Sequence, residues 1–226
     1  MNSKPTRRTT FAFSHAALVA FFASNLCMQA AVAGPDEIWQ QARKAEQVGD
    51  YPGMVKLLLP LAEEGDIAAQ YMVGLMHETG QSGQRDLVIA AKWYRKAADQ
   101  GFARAQYYLG DLYYRGKGDM QNYGEAMKWY RRAADQGTAM AQHMLGIMYV
   151  KGQGTEQDYV QAYKWFTLAS TLLPAAAGGN YQPMATKARD AVEAKMTPEQ
   201  IAQGKKLVDE WKAVDESPPG KAPYKE

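Results

Sequence analysis

Histidine, serine, cysteine and carboxylate side chains at set spacings are what an enzyme needs for nucleophilic, acid–base or metal chemistry, and this chain of 226 residues offers few of them. His77-Glu78 opens like the zinc-protease motif, in which two histidines on one helix face hold the metal and the glutamate serves as base. No second histidine follows at that spacing. None of Ser82, Ser170 and Ser217 begins an S-x-x-K, where a lysine would activate the hydroxyl, and no Gly-rich phosphate loop follows a strand pattern. Cys27 is the single cysteine and sits near the start of the chain. The expectation is therefore no catalytic set, no metal site and no cofactor.

The elements that would have to position such residues announce themselves by repetition. Gly65, Gly101 and Gly137 stand 36 residues apart, as do Ala69-Gln70, Ala105-Gln106 and Ala141-Gln142. Gly74, Gly110 and Gly146 follow the same period, and so do Gly80, Gly116 and Gly152, then Trp93, Trp129 and Trp165. A fixed period of this size marks a solenoid, whose unit cannot bury its apolar face alone and stacks on copies of itself. His77 and His143 occupy different places in this register, so they do not form a repeated pair.

Each unit reads as two helices. From Ala103 to Tyr114, the residues Ala105, Tyr108, Leu109, Leu112 and Tyr113 fall at helical spacing, and Gly116 is expected to end the helix in a left-handed conformation. Tyr123, Ala126, Trp129, Tyr130, Ala133 and Ala134 form a second stripe closed by Gly137. The mid-helix Gly74, Gly110 and Gly146 each cost about 1 kcal/mol against alanine, so a close helix approach must offset them, with large Trp-Tyr pairs beside small residues. The tryptophans lie on the apolar stripes and read as core; a ligand box is the alternative.

The run A-x-x-x-L-G-x-x-Y-x-x-G-x-G followed by A-x-x-W-Y-x-x-A-A-x-x-G resembles the Sel1-like repeat, a relative of the tetratricopeptide repeat. The second copy carries it as Ala105, Leu109, Gly110, Tyr113, Gly116 and Gly118, then Ala126, Trp129, Tyr130, Ala133, Ala134 and Gly137. The third has Trp165-Phe166 and Ser170, and the first has Ser82 where the second loop glycine belongs. The resemblance spans roughly residues 59 to 171. It implies an all-α fold, a right-handed α-solenoid of helix-turn-helix repeats with capping helices, and a scaffold for protein contacts.

Asp50-Tyr51 aligns with Asn122-Tyr123 and Asp158-Tyr159, which makes 34–65 an N-terminal capping helix pair ahead of three repeat units over 66–171. A linker and C-terminal capping helices are expected over 172–213, the last helix opening at Thr197-Pro198-Glu199-Gln200 as a capping box. Residues 214–226, with Ser217-Pro218-Pro219-Gly220, lack apolar periodicity and read as a disordered tail.

Residues 1–33 read as a signal peptide: Lys4, Arg7 and Arg8 before the apolar Phe11 to Phe22, then Ala31-Val32-Ala33 as a cleavage signal. Cys27 falls inside it without the preceding leucine that lipidation requires. The expectation is a bacterial periplasmic protein with no membrane insertion after cleavage. Arg7-Arg8 leaves twin-arginine export as an alternative to the general secretory route.

Taking Lys4, Arg7 and Arg8 from the 26 basic residues leaves 23 against 24 acidic ones, so the mature chain has no basic excess for nucleic acid. Lys92, Arg95, Lys96, Lys128, Arg131, Arg132 and Lys164 still line one face of the second helices, as a solvated surface or a site for an anionic one.

At 100° per residue, the first helices place a further set opposite their core stripe: Tyr71 and Leu75, then Tyr107, Asp111 and Tyr114, then His143, Ile147 and Val150. These vary between copies while the core does not. They are the candidate partner-binding residues for another protein or peptide lying in the groove, although a helix sandwiched between repeats also uses such positions for packing. The functional expectation is an exported, non-enzymatic interaction module, a regulator or assembly scaffold of an envelope process. The alternative is a hydrolase or binder acting on cell-wall peptides.

Overall fold

Short side-chain caps start most of the helices. Asp50, Asp66, Asp86, Asn122 and Asp158 each accept a hydrogen bond from a backbone N–H two or three residues on, at 2.7 to 3.0 Å. The structure, a computed structural model, describes residues 34–81, 83–116, 121–171, 181–214 and 216. The expected signal peptide, most of the expected linker, Ser82, Gly118 and Ser217 lie outside the described residues.

Among the described residues there are ten α-helices and no strand: α1 Pro35–Gln47, α2 Tyr51–Glu63, α3 Ile67–Thr79, α4 Leu87–Asp99, α5 Ala103–Arg115, α6 Tyr123–Asp135, α7 Ala139–Lys151, α8 Tyr159–Thr171, α9 Tyr181–Glu193 and α10 Pro198–Asp209. Each helix from α1 to α8 packs on the next, so the fold is a ladder of local contacts, an α-solenoid. The ladder ends where α9 and α10 both settle on α8. There the ring of Tyr163 lies so close to Gly204 that a Cβ would stand 2.7 Å from its Cδ1. Thr197 and Gln200 form the expected capping box at the start of α10.

The mid-helix glycines have the physical reason their recurrence demanded. A Cβ at Gly74, Gly110 or Gly146 would sit 2.8, 2.9 or 2.5 Å from the ring of Tyr94, Tyr130 or Phe166, respectively. Those rings come from the second helix of the same repeat and are almost wholly buried. The lattice of glycines on α3, α5 and α7 thus faces a lattice of aromatics on α4, α6 and α8. Trp93, Trp129 and Trp165 are core residues, each clustered with the helix pair preceding its own repeat's first helix or with that helix itself.

Gly80 and Gly152 close their helices in the left-handed conformation, with φ of 79° and 63°. Gly101 and Gly137, between repeats, have φ of 88° and 86°, where a side chain is strained. Gly116 does not: at φ −50° and ψ 142° it is extended, which corrects the left-handed cap expected for it. The chain leaves α5 straight into its loop, and Asn122 restores the connection by donating its backbone N–H to Tyr113 O at 2.9 Å.

Candidate partner-binding surface

Every residue expected to face a partner comes from α3, α5 or α7, each held between the second helix of its own repeat and that of the one before. The structure separates them into two groups. Tyr71, Tyr107, Asp111 and His143 are all less than a tenth exposed. Tyr71 packs on Tyr94, Phe102 and Tyr108 at centroid distances of 5.9, 5.3 and 5.8 Å. Tyr107 packs on Tyr130, and His143 on Phe166. Asp111 accepts from Arg115 Nε at 2.7 Å and from the Tyr130 hydroxyl at 3.3 Å. These four are therefore taken up in packing, the use that a helix sandwiched between repeats makes of its second face.

Leu75, Tyr114, Ile147 and Val150 are half-buried and keep an accessible edge. The Tyr114 hydroxyl donates to Gln153 Oε1 at 3.1 Å, and its ring meets Tyr123 and Tyr130. Ile147 and Val150 rest on a cluster of Ala162, Tyr163, Phe166 and Val192. An apolar edge backed by rigid aromatics is suited to receive an apolar side chain of a partner.

Burial dominates the electrostatics here. It pushes the Tyr94 hydroxyl far above its ordinary range, with the Glu78 carboxylate at 2.8 Å adding to the effect, and does the same to Tyr130 beside Asp111. Burial pushes the His143 imidazole below 6.5, which favours the neutral ring. The unfolded chain then binds a proton more readily, so this contribution to stability is present above pH 6.5 and is lost as pH falls through the lower folded value. Between about pH 7.5 and about pH 5.5, wild type should lose more melting temperature than His143→Tyr, which installs the ring found at the equivalent Tyr71 and Tyr107. Parallel slopes in thermal melts would show that His143 does not titrate with unfolding.

The basic row on the second helices is largely engaged with aromatic faces. Arg95 lies 5.4 Å over Trp129 of the next repeat and Arg131 4.8 Å over Trp165, while Lys96 and Arg132 cover Trp93 and Trp129 at 4.0 and 5.0 Å.

The glutamines of the Ala-Gln pairs carry a structural role that periodicity alone does not assign. Gln70, Gln106 and Gln142 are buried and donate across the inter-repeat turn to Ala62, Ala98 and Ala134 carbonyls at 3.0 to 3.1 Å. Gln100 and Gln136 then donate to Gln70 and Gln106 at 2.8 Å, one repeat period apart. A polar residue recurring amid an apolar stripe was the available signal, because a buried amide survives only when satisfied. In the 36-residue register Leu172 takes the place of Gln100 and Gln136, and Gln142 Oε1 has no hydrogen-bond partner among the described residues.

Residues 67–102, 103–138 and 139–172 each match the Sel1 repeat model, so the chain carries three consecutive Sel1 repeats. It is similar to a Sel1 repeat protein from Oxalobacter formigenes, at 26% identity and a TM-score of 0.55 over 79% of this chain and 78% of that one. A protective antigen present in uropathogenic Escherichia coli strains, displaying an SLR fold, matches at 24% identity and a TM-score of 0.35 over 76% of this chain and 55% of that one. No curated protein matches. Sel1 repeats generally mediate contacts between proteins, and this chain carries three of them. Among the described residues, no helix is long and apolar enough to cross a membrane and no cluster of three or more His, Cys, Asp or Glu is placed to hold a metal ion.

Proposed function

We propose that this chain is an exported, non-enzymatic interaction module that binds a protein or peptide on the first-helix face of its solenoid and serves as a regulator or assembly scaffold in the bacterial periplasm. The observation that carries the reading is the contrast within α3, α5 and α7. Their core positions repeat, whereas Leu75, Tyr114, Ile147 and Val150 differ from copy to copy and keep an accessible apolar edge over buried Tyr71, Tyr107, Asp111 and His143. A surface that only packed against the next repeat would share the core's periodicity. Capture from envelope extracts tests the reading: one specific protein retained by the wild type supports it, and turnover of cell-wall peptides by the purified chain would replace it with the enzyme reading.

Export rests on the charged, apolar and A-x-A segments of residues 1–33. Mass spectrometry of the protein from the periplasmic fraction should give Gly34 as the first residue and no lipid. A chain that keeps Met1, or begins at acylated Cys27, would contradict this.

A further inference from the structure

The chain's own C-terminal segment lies across the edge formed by the inter-repeat turns. Trp211 packs into the cluster of the second and third repeats, and Val214 donates its backbone N–H to Asp135 O at 2.8 Å. Residue 216 follows onto the second repeat. Within the tail expected from residue 214 onward, Val214 and Glu216 thus make defined contacts.

Glu216 ends in a built site. Its Oε2 accepts from the fully buried Gln106 Nε2 at 2.9 Å and from Arg132 Nη2 and Nε at 2.7 and 3.1 Å, a charge-assisted fork. Its backbone carbonyl lies directly over Gly101, where a side chain would collide with it. The donors are held in place beforehand. Gln136 fixes the Gln106 amide and also donates to Gly101 O at 3.0 Å, and the Arg132 guanidinium rests on Trp129. Asp99 stands 4.0 Å from the far side of Arg132, so one carboxylate already shares that cation.

The same set recurs one repeat earlier. Gly65, Gln70 and Lys96 replace Gly101, Gln106 and Arg132 in the 36-residue register. Gln100 holds Gln70 and Gly65 O at 2.8 and 3.2 Å, and Lys96 rests on Trp93 as Arg132 does on Trp129. Among the described residues, a Cβ at Gly65 would meet nothing within 4 Å. In the third repeat Leu168 replaces the cation, so the set stops there.

We propose that these two positions form a carboxylate-binding track for an extended acidic peptide of a partner protein, and that Glu216 is the intramolecular occupant of the second position which such a peptide displaces. Binding is local, through a fixed amide and one cation per repeat, so it needs no basic excess over the whole chain. Lys96 and Arg132 thereby gain a role that the rest of the basic row does not share. The track lies at the inter-repeat turns rather than on the first-helix face, and neither reading depends on the other.

A fluorescent peptide alternating Glu and Ser, followed by anisotropy at low salt, tests it on the full chain. A site occupied by its own tail shows an affinity reduced by the fraction of molecules in which it is open. Glu216→Ala should therefore tighten peptide binding by about tenfold. Adding Arg132→Ala should remove that gain, adding Lys96→Ala should weaken binding several-fold, and the matching Gln-Ser peptide should not bind. Because Arg132 also packs on Trp129, Arg132→Lys serves as a second variant that keeps the charge without the fork and should retain part of the gain. No tightening in Glu216→Ala, or binding indifferent to both Lys96 and Arg132, would overturn the proposal. The first-helix face would be untouched by that result, since neither cation belongs to it.

Discussion

Gly110→Leu should lower the stability of the solenoid by roughly 3 kcal/mol, the upper end of what an overpacked core loses. The residue faces the Tyr130 ring, which is fully buried and tied by its hydroxyl to Asp111, so neither rotation nor withdrawal can make room. At about 2 to 4 °C per kcal/mol for a domain of this size, the melting temperature should fall by about 6 to 12 °C. Gly146→Ala is the sharper comparison. Alanine gains about 1 kcal/mol of helix propensity over glycine, but its Cβ would lie 2.5 Å from Phe166, and the variant should still melt below wild type. Combining it with Phe166→Leu should recover part of the loss, a coupling that only residues in contact show. Gly110→Leu melting at or above wild type would refute the ring-on-glycine account of the repeat.

The second large effect concerns binding. Tyr114→Ala and Ile147→Asp should each weaken capture of the partner by about tenfold or more, as the loss of an apolar anchor worth 2 kcal/mol implies. Tyr114 is held by Gln153 and by two aromatic rings, so it presents its edge without the entropy cost of ordering. Ile147 also touches the cluster on α8, and melting curves taken alongside separate lost folding from lost binding. Lys128→Ala is the control: its side chain is 72% exposed and pairs with Glu125, one turn away.

The repeat was legible because its stabilising contacts are local and periodic. Glycine, alanine and tryptophan recur at fixed places because each must meet the same neighbour in every copy. The capping box at Thr197-Pro198-Glu199-Gln200 was equally readable, since a cap and the helix it starts adjoin in sequence. The first-helix face was read less well. Helical periodicity separates the face of Tyr71, Tyr107 and His143 from the core stripe, yet it does not tell that the ring of the following helix covers it. Gly116 misled for a related reason, because glycine is chosen for a left-handed turn and for a loop of any shape alike. The docking of Glu216 left no apolar pattern at all. It depends on one carboxylate meeting Gln106 and Arg132 from far along the chain, and such polar, long-range contacts have no period to betray them.

Affinity of the protein captured from envelope extracts, compared between wild type and Tyr114→Ala with circular dichroism melts on both, tests the interaction role most directly. The account predicts a single specific partner whose binding falls about tenfold in the variant while helicity and melting stay close to wild type. Undiminished binding by Tyr114→Ala, with loss appearing instead in Lys128→Ala, would contradict it and move the contact to the basic face of the second helices.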